Sequence, residues 1–264
     1  MAQMENIPWT TSPALDLAAL RRESTPIRLA FLHQGGSGGG PGPLSWFVKE
    51  RQSFAFDLLL FAHTVWPLSE GSAIRATTRQ WMSAMSIKET AESRSTISRS
   101  WRWLEARGLV RTHRSGRERG IELLREDGLG GAWTSPGLVG DPYFRLPHAY
   151  WTGAFARDLS LPAKAVLLIG LSRQSSGHDY FELPLRRGAA WYGISPSTVR
   201  RGLNELRAIH LLRRWAEERE TSASPTGRTY DQRYALNSLV NVGAQRTYRN
   251  RNSPEPEGGE VIPF

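Results

Sequence analysis

The chain has 264 residues, enough for two domains of ordinary size, and its 39% hydrophobic and 10% aromatic content supports packed cores rather than wholesale disorder. A formal charge of +9 and a pI near 10.4 favour a polyanionic partner, either nucleic acid or an acidic membrane surface. The lack of any cysteine excludes disulfides, thiolate metal sites and a cysteine nucleophile.

The chain starts without the basic region and apolar run of a secretory signal. Its most apolar stretches, 54–65 and 163–171, are far shorter than the roughly 20 residues of a membrane span. A cytoplasmic, nucleoid-associated protein with no membrane partner is the expectation. Residues 1–34 carry Leu15, Leu17 and Leu20, then Ile27, Leu29 and Phe31, a weak pattern for a short helix and an extended piece. Gly35-Gly-Ser-Gly-Gly-Gly-Pro-Gly-Pro43 lacks the closing Gly-Lys-Ser/Thr of a phosphate-binding loop and reads as a flexible linker. Residues 1–44 are therefore expected to form an arm and linker.

Over 45–125, Phe54, Leu58, Phe61 and Val65 recur three or four apart, the stripe of a helix that Pro67 ends. A second helix is expected over 77–85 and a third over 93–107, stopped by Gly108. Residues 109–113, 114–117 and 119–124 read as strand, tight turn and strand. Residues 126–142 are acidic and rich in turn formers, as a linker between domains is. A second unit over 143–237 opens with a helix at 161–171, whose first turn holds Pro162. Strand 180–183, helix 186–192, a turn at 193–195, helix 196–209 and a hairpin of 211–215 with 233–236 complete it. Residues 238–264 are expected to be a disordered tail. Trp46, Trp66, Trp81, Trp101, Trp191 and Trp215 fall at core positions; Trp103 has no such explanation, because its counterpart is Glu205.

The two halves match each other. Ser95-Thr-Ile, Arg99, Leu104, Ala106 and Leu109-Val110 align without gaps on Ser197-Thr-Val, Arg201, Leu206, Ala208 and Leu211-Leu212. The elements around each copy fall in one order, so the chain reads as two copies of one supersecondary unit.

That unit resembles the winged helix-turn-helix family through Ser95-Thr-Ile-Ser-Arg99, Leu104-Glu-Ala-Arg-Gly-Leu-Val110 and the basic hairpin His113-Arg-Ser-Gly-Arg117. It is similar to bacterial regulators of the GntR and MarR kind, and to replication initiators with tandem winged helices. The resemblance implies a mainly α fold with small β-hairpins (α+β), two winged helix-turn-helix domains in tandem, covering about three quarters of the chain.

Within it, Ile97, Trp101 and Leu104, repeated as Val199, Leu203 and Leu206, form the core stripe of each third helix. The opposite face carries Ser95, Ser98, Arg99 and Arg102 in the first copy and Ser197, Arg200, Arg201 and Asn204 in the second, and Arg94, Thr96, Ser195 and Thr198 are counted with them as expected DNA contacts. Hydroxyls near a helix N-terminus suit phosphate, and arginine or asparagine one turn further in reaches guanine or adenine edges. The first hairpin adds Arg111, His113, Arg114, Arg117 and Arg119; the second adds Arg213, Arg214 and Arg228. From 94 to 125, nine arginines face three glutamates, a formal +6; from 195 to 236, eight arginines face five acids, a formal +3. The first copy is thus expected to dominate affinity, with the second adding specificity or pairing. Only Lys49, Lys88 and Lys164 of the 34 basic residues are lysines. Arginine's planar fork suits DNA, although a high-GC genome enriches arginine equally well.

The six histidines are scattered without metal-ligand spacing, and Asp127, Asp141, Glu217 and Glu218 read as solvated charges rather than acid–base pairs. No catalytic residue, metal or cofactor is expected, and the chain is read as no enzyme. The leading expectation is a sequence-specific double-stranded DNA-binding protein, a transcriptional repressor of a high-GC bacterium. The alternatives are an initiator of plasmid or mobile-element replication, binding origin repeats, and a winged-helix protein-interaction module. A homodimer or another protein partner would engage the second domain or the N-terminal arm.

Overall fold

In the computed structural model of the chain, residues 23–34, 39–69, 73–115, 118–137, 140–174, 179–221 and 228–239 are described. The expected helix near Leu15 to Leu20, the glycine-rich residues 35–38, Arg117 and the tail from 240 onward lie outside them, as does the side chain of Arg114.

β1 (Ser24–Arg28) opens the described chain and runs into a 3-10 turn. α1 (Leu44–Lys49) leads to α2 (Ser53–Val65), in which every residue from Ala55 to Val65 is buried. A helix covered on all sides belongs at the centre of a molecule. β2 (Ile74–Ala76) and α3 (Thr78–Ala84) follow, α3 opening on a capping box between Thr77 and Gln80. α4 (Ala91–Ala106) starts before the expected residue 93 because Thr90 caps it, its hydroxyl accepting from the Ser93 N–H at 3.1 Å. Gly108, at φ +63°, turns the chain from α4 into the hairpin of β3 (Val110–Ser115) and β4 (Glu118–Leu123).

The second half opens with β5 (Tyr143–Pro147) and two single-turn helices, α5 (Ala149–Thr152) and α6 (Phe155–Asp158). α7 (Leu161–Gln174), nearly as buried as α2, is followed by β6 (Phe181–Glu182), α8 (Leu185–Tyr192) and α9 (Pro196–Ala208). β7 (Leu212–Glu220) and β8 (Arg228–Leu236) make a hairpin longer than expected.

The architecture is mixed α+β, with small antiparallel sheets. The order helix, strand, helix, helix, hairpin occurs twice, and both three-stranded sheets place the second hairpin strand in the middle, β2-β4-β3 and β6-β8-β7. Register repeats too. Val110 faces Leu123 while Ile121 faces Ile74; Leu212 faces Leu236 while Tyr234 faces Phe181. Even the helix exit is shared: His210, the counterpart of Gly108, adopts φ +58°.

The halves are not beads on a string. β1, expected in the arm, pairs along its length with β5 of the second half, Ser24 opposite Pro147 and Arg28 opposite Tyr143. This ribbon packs on α2 through β1 and on α7 through β5. Phe61 of α2 meets Trp151 of α5 edge to face at 5.1 Å, and one buried apolar cluster runs through both halves. The segment expected as a linker is also built in. Glu126 is buried and accepts from Arg28 Nη1 at 2.5 Å, and Asp141 accepts from Arg28 Nε at 2.8 Å. Asp141 is thus a paired charge, not a solvated one.

α9 crosses α7 closely enough that a Cβ on Gly202 would collide with the Pro162 carbonyl. Gly202→Ala should therefore lower stability by about 1–3 kcal/mol in urea denaturation, the usual cost of overpacking.

Asp57 of α2 accepts from Lys164 Nζ of α7 at 2.6 Å and from the Tyr150 hydroxyl at 2.9 Å. Burial raises its pKa from 3.8 to about 6 against the opposing pull of Lys164 and Tyr150. A raised folded value favours the acid form, so this group's stabilisation is complete below pH 3.8 and lost as pH rises through about 6. The stability of wild type relative to Asp57→Asn should accordingly decline across that window in urea melts taken at stepped pH.

Candidate nucleic-acid interface

α4 buries Ile97, Trp101 and Leu104 and packs on α2, α3 and β3. This leaves Arg94, Ser95, Arg99 and Arg102 exposed, with Thr96 and Ser98 half-buried. The helix starts at Ala91, so Ser95 and Ser98 stand beyond its first turn. They are not the N-terminal hydroxyls the sequence suggested, because Thr90 takes the cap. Arg94 is held by Glu89 at 2.5 Å, which Arg79 also approaches at 3.4 Å. Arg99 donates to the Thr96 hydroxyl at 3.2 Å, and among the described residues neither Arg99 nor Arg102 meets a carboxylate.

α9 buries Val199, Leu203 and Leu206 and exposes Ser197, Arg200, Arg201 and Asn204. Ser195 is its N-cap, accepting from the Thr198 N–H at 3.1 Å with the Ser197 hydroxyl 2.9 Å away. Arg200 and Arg201 form no ion pair among the described residues. A groove of about 410 Å³ separates α9 from the β7–β8 hairpin, lined by Arg200, Asn204, Arg207, Arg214, Tyr230 and Gln232. Arg207 and Tyr230 were not singled out from the sequence. The spacing 200, 204, 207 on one helical face was the signal for Arg207.

The hairpins differ less than their formal charges suggest. In the first, Arg111 pairs with Glu122 at 3.0 Å and His113 approaches the same carboxylate at 3.3 Å, while Arg119 is half-buried. In the second, Arg228 meets Glu218 and Arg219 meets Asp231, both at 3.0 Å, and Arg233 meets Glu217. Glu217 and Glu218 are therefore cross-strand partners. Arg214 donates to Gln232 at 2.6 Å, and Arg213 is exposed with no ion pair among the described residues.

Three tryptophans expected in the core are outside it, the first being Trp46, half-buried with the Arg107 guanidinium 5.6 Å from its ring centre. Trp191 is 41% exposed, stacked on His33 at 5.2 Å with the Arg173 guanidinium over its ring, and Trp215 is 38% exposed against the edge of Tyr180. Burial, helped by Arg173, lowers the His33 pKa. Trp103, unexplained from sequence, packs on Phe47 of α1 at 4.7 Å and donates to Glu50 at 2.8 Å. Its counterpart Glu205 accepts from the Ser160 N–H at 2.7 Å, just before α7. Both positions tie an exposed helix to the chain preceding its unit's central helix, by different chemistry.

Among the described residues no group of three His, Asp or Glu is placed to hold a metal, and no helix is long and apolar enough to cross a membrane. Comparison with known proteins finds no family model matching the chain, and no similar curated protein or solved structure.

Proposed function

We propose that both units are winged helix-turn-helix domains and that the chain reads double-stranded DNA as a transcriptional regulator, repressing by occupying its operator. In this reading α4 and α9 are the recognition helices and the β3–β4 and β7–β8 hairpins are the wings. One observation carries it. Arg99 and Arg102 on α4, and Arg200 and Arg201 on α9, lie opposite the core stripe with no carboxylate partner among the described residues. Unpaired arginines on an exposed helix beside a basic hairpin suit phosphates and guanine edges.

Selection of bound duplexes from a random pool, followed by affinity measurements at stepped salt, tests the proposal. One or two enriched half-sites and a steep fall of affinity with salt are expected. Binding no tighter than to competitor DNA, with a flat salt response, would sink it.

A replication initiator is the second reading. The continuous core and the β1–β5 ribbon fix the two candidate reading helices relative to each other, which suits repeated sites of constant spacing. Genome-wide binding separates the two: clustered direct repeats at one origin favour initiation, and dispersed promoter sites favour regulation.

A further inference from the structure

Between the two halves lies a cleft of about 360 Å³, in the range of roughly 300–1,000 Å³ typical of small-molecule pockets. Its walls are apolar, from Phe54 of α2, Met85 and Ile87 in the bend between α3 and α4, and Trp151, Ala156 and Leu159 around α5 and α6. Its floor is charged. Lys164 is 2% exposed and donates to Asp57, itself 7% exposed. The ammonium makes no other hydrogen bond among the described residues. Three donors belong to an ammonium, so two remain for another acceptor. Arg157 stands at the rim, its charge met by Asp158 at 2.8 Å, so the buried Lys164 is the cation with donors to spare.

The backbone marks the same place. Among the described residues four non-glycine residues adopt positive φ, and two of them, Ser86 and Ala154, line this cleft. Such conformations are unfavourable and collect at ligand clamps and switch regions.

We propose that this cleft is an effector site for a small apolar carboxylic acid, its carboxylate held by Lys164 and its body by Phe54 and Trp151. An ammonium offers no acceptor to the free Lys164 donors, and a neutral oxygen accepts from them more weakly than a carboxylate does. The acid touches both halves and the bend that orients α4, so its binding energy differs between orientations of that helix and shifts DNA affinity. That coupling rests on the DNA-binding reading; the ligand site does not.

The test titrates the full chain, without DNA, with 3-phenylpropionate and with 3-phenylpropanol as the uncharged control, following thermal unfolding and calorimetry. The acid should raise Tm in a concentration-dependent way and the alcohol should not. Lys164→Met should abolish the response. So should Ala156→Phe, which fills the cleft and leaves the Asp57–Lys164 pair intact, with circular dichroism showing both variants folded. No response to the acid, an equal response to the alcohol, or a response surviving in Ala156→Phe overturns the site. Binding seen only after deletion of residues 2–22 makes the chain's own N-terminal segment the occupant and also overturns it. A second arm measures duplex affinity with and without acid. A change in the roughly 5- to 150-fold range of ordinary coupling supports the link to α4, and unchanged affinity with acid bound overturns it. Absence of any duplex binding counts against the DNA reading alone, while the first arm still decides the site.

Discussion

Arg99→Ala and Arg102→Ala should each weaken binding to a selected duplex by about 1–3 kcal/mol, roughly 5- to 150-fold, if each reads a base edge. Arg200→Ala and Arg201→Ala should fall in the same range, because their guanidinium groups are equally without carboxylate partners among the described residues. This departs from the expectation that the first unit dominates. Formal charge favours the first unit, but ion pairing draws Arg94, Arg111 and His113 there onto glutamates. Arg219→Ala, on the second hairpin, should change affinity less than about threefold, since Asp231 already meets its charge. Salt dependence sorts the contacts. A base-reading variant relaxes specificity at one position, whereas a phosphate-contacting variant weakens all sequences alike and reduces the salt slope by about one. Fluorescence anisotropy on matched and mismatched duplexes at several salt concentrations measures both. Equal affinity of the four variants and wild type would remove α4 and α9 from the interface.

What was legible in the sequence was local or repeated. The offset that aligns Ser95-Thr-Ile with Ser197-Thr-Val also superposes Gly108 on His210 and Val110 on Leu212, and the backbone honours each pair. Helical spacing identified Ile97, Trp101 and Leu104 as buried because one face of one helix suffices to show it. What was illegible depends on partners far away in the chain. Arg28 meets Glu126 across 98 residues and Asp141 across 113, and neither periodicity nor composition relates such positions. A charge count likewise gives totals and not pairs. Once Leu212 is set opposite Leu236, the register brings Glu217, Glu218 and Asp231 beside arginines, and the acids of the second hairpin become internal partners. Trp191 and Trp215 misled for a related reason: α8 buries Tyr192 but not the neighbouring Trp191, and β7 buries Leu212 while the rest of the strand, Trp215 included, stands exposed.

Arg28→Met should be among the most destabilising single changes in the described chain, at about 3–5 kcal/mol in urea denaturation, because it leaves a buried charge without its partner. The guanidinium is fully buried and binds Glu126 at 2.5 Å, Asp141 at 2.8 Å and the Thr134 carbonyl at 2.6 Å. Methionine keeps much of the side-chain length but none of the donors, so Glu126, 1% exposed, must stay charged and unpaired or take up a proton. Adding Glu126→Gln removes that burial cost, and the double variant should recover more than half of the loss. His63 supplies an independent check. Burial lowers its pKa from 6.5, with Arg28 adding to the effect and Glu126 opposing it. A lowered folded value keeps the ring neutral in the fold while the unfolded chain takes up protons, so stability falls as pH drops below 6.5. Without Arg28, the neighbouring Glu126 at 3.8 Å makes protonation of His63 easier, and the acid-side slope should flatten in Arg28→Met. A cost under about 1 kcal/mol with an unchanged slope would mean that this buried cluster does not hold the β1–β5 ribbon in place. The two units would then owe their fixed relation to the contacts among α2, α5 and α7, the bonds of Asp57 to Lys164 and Tyr150 included.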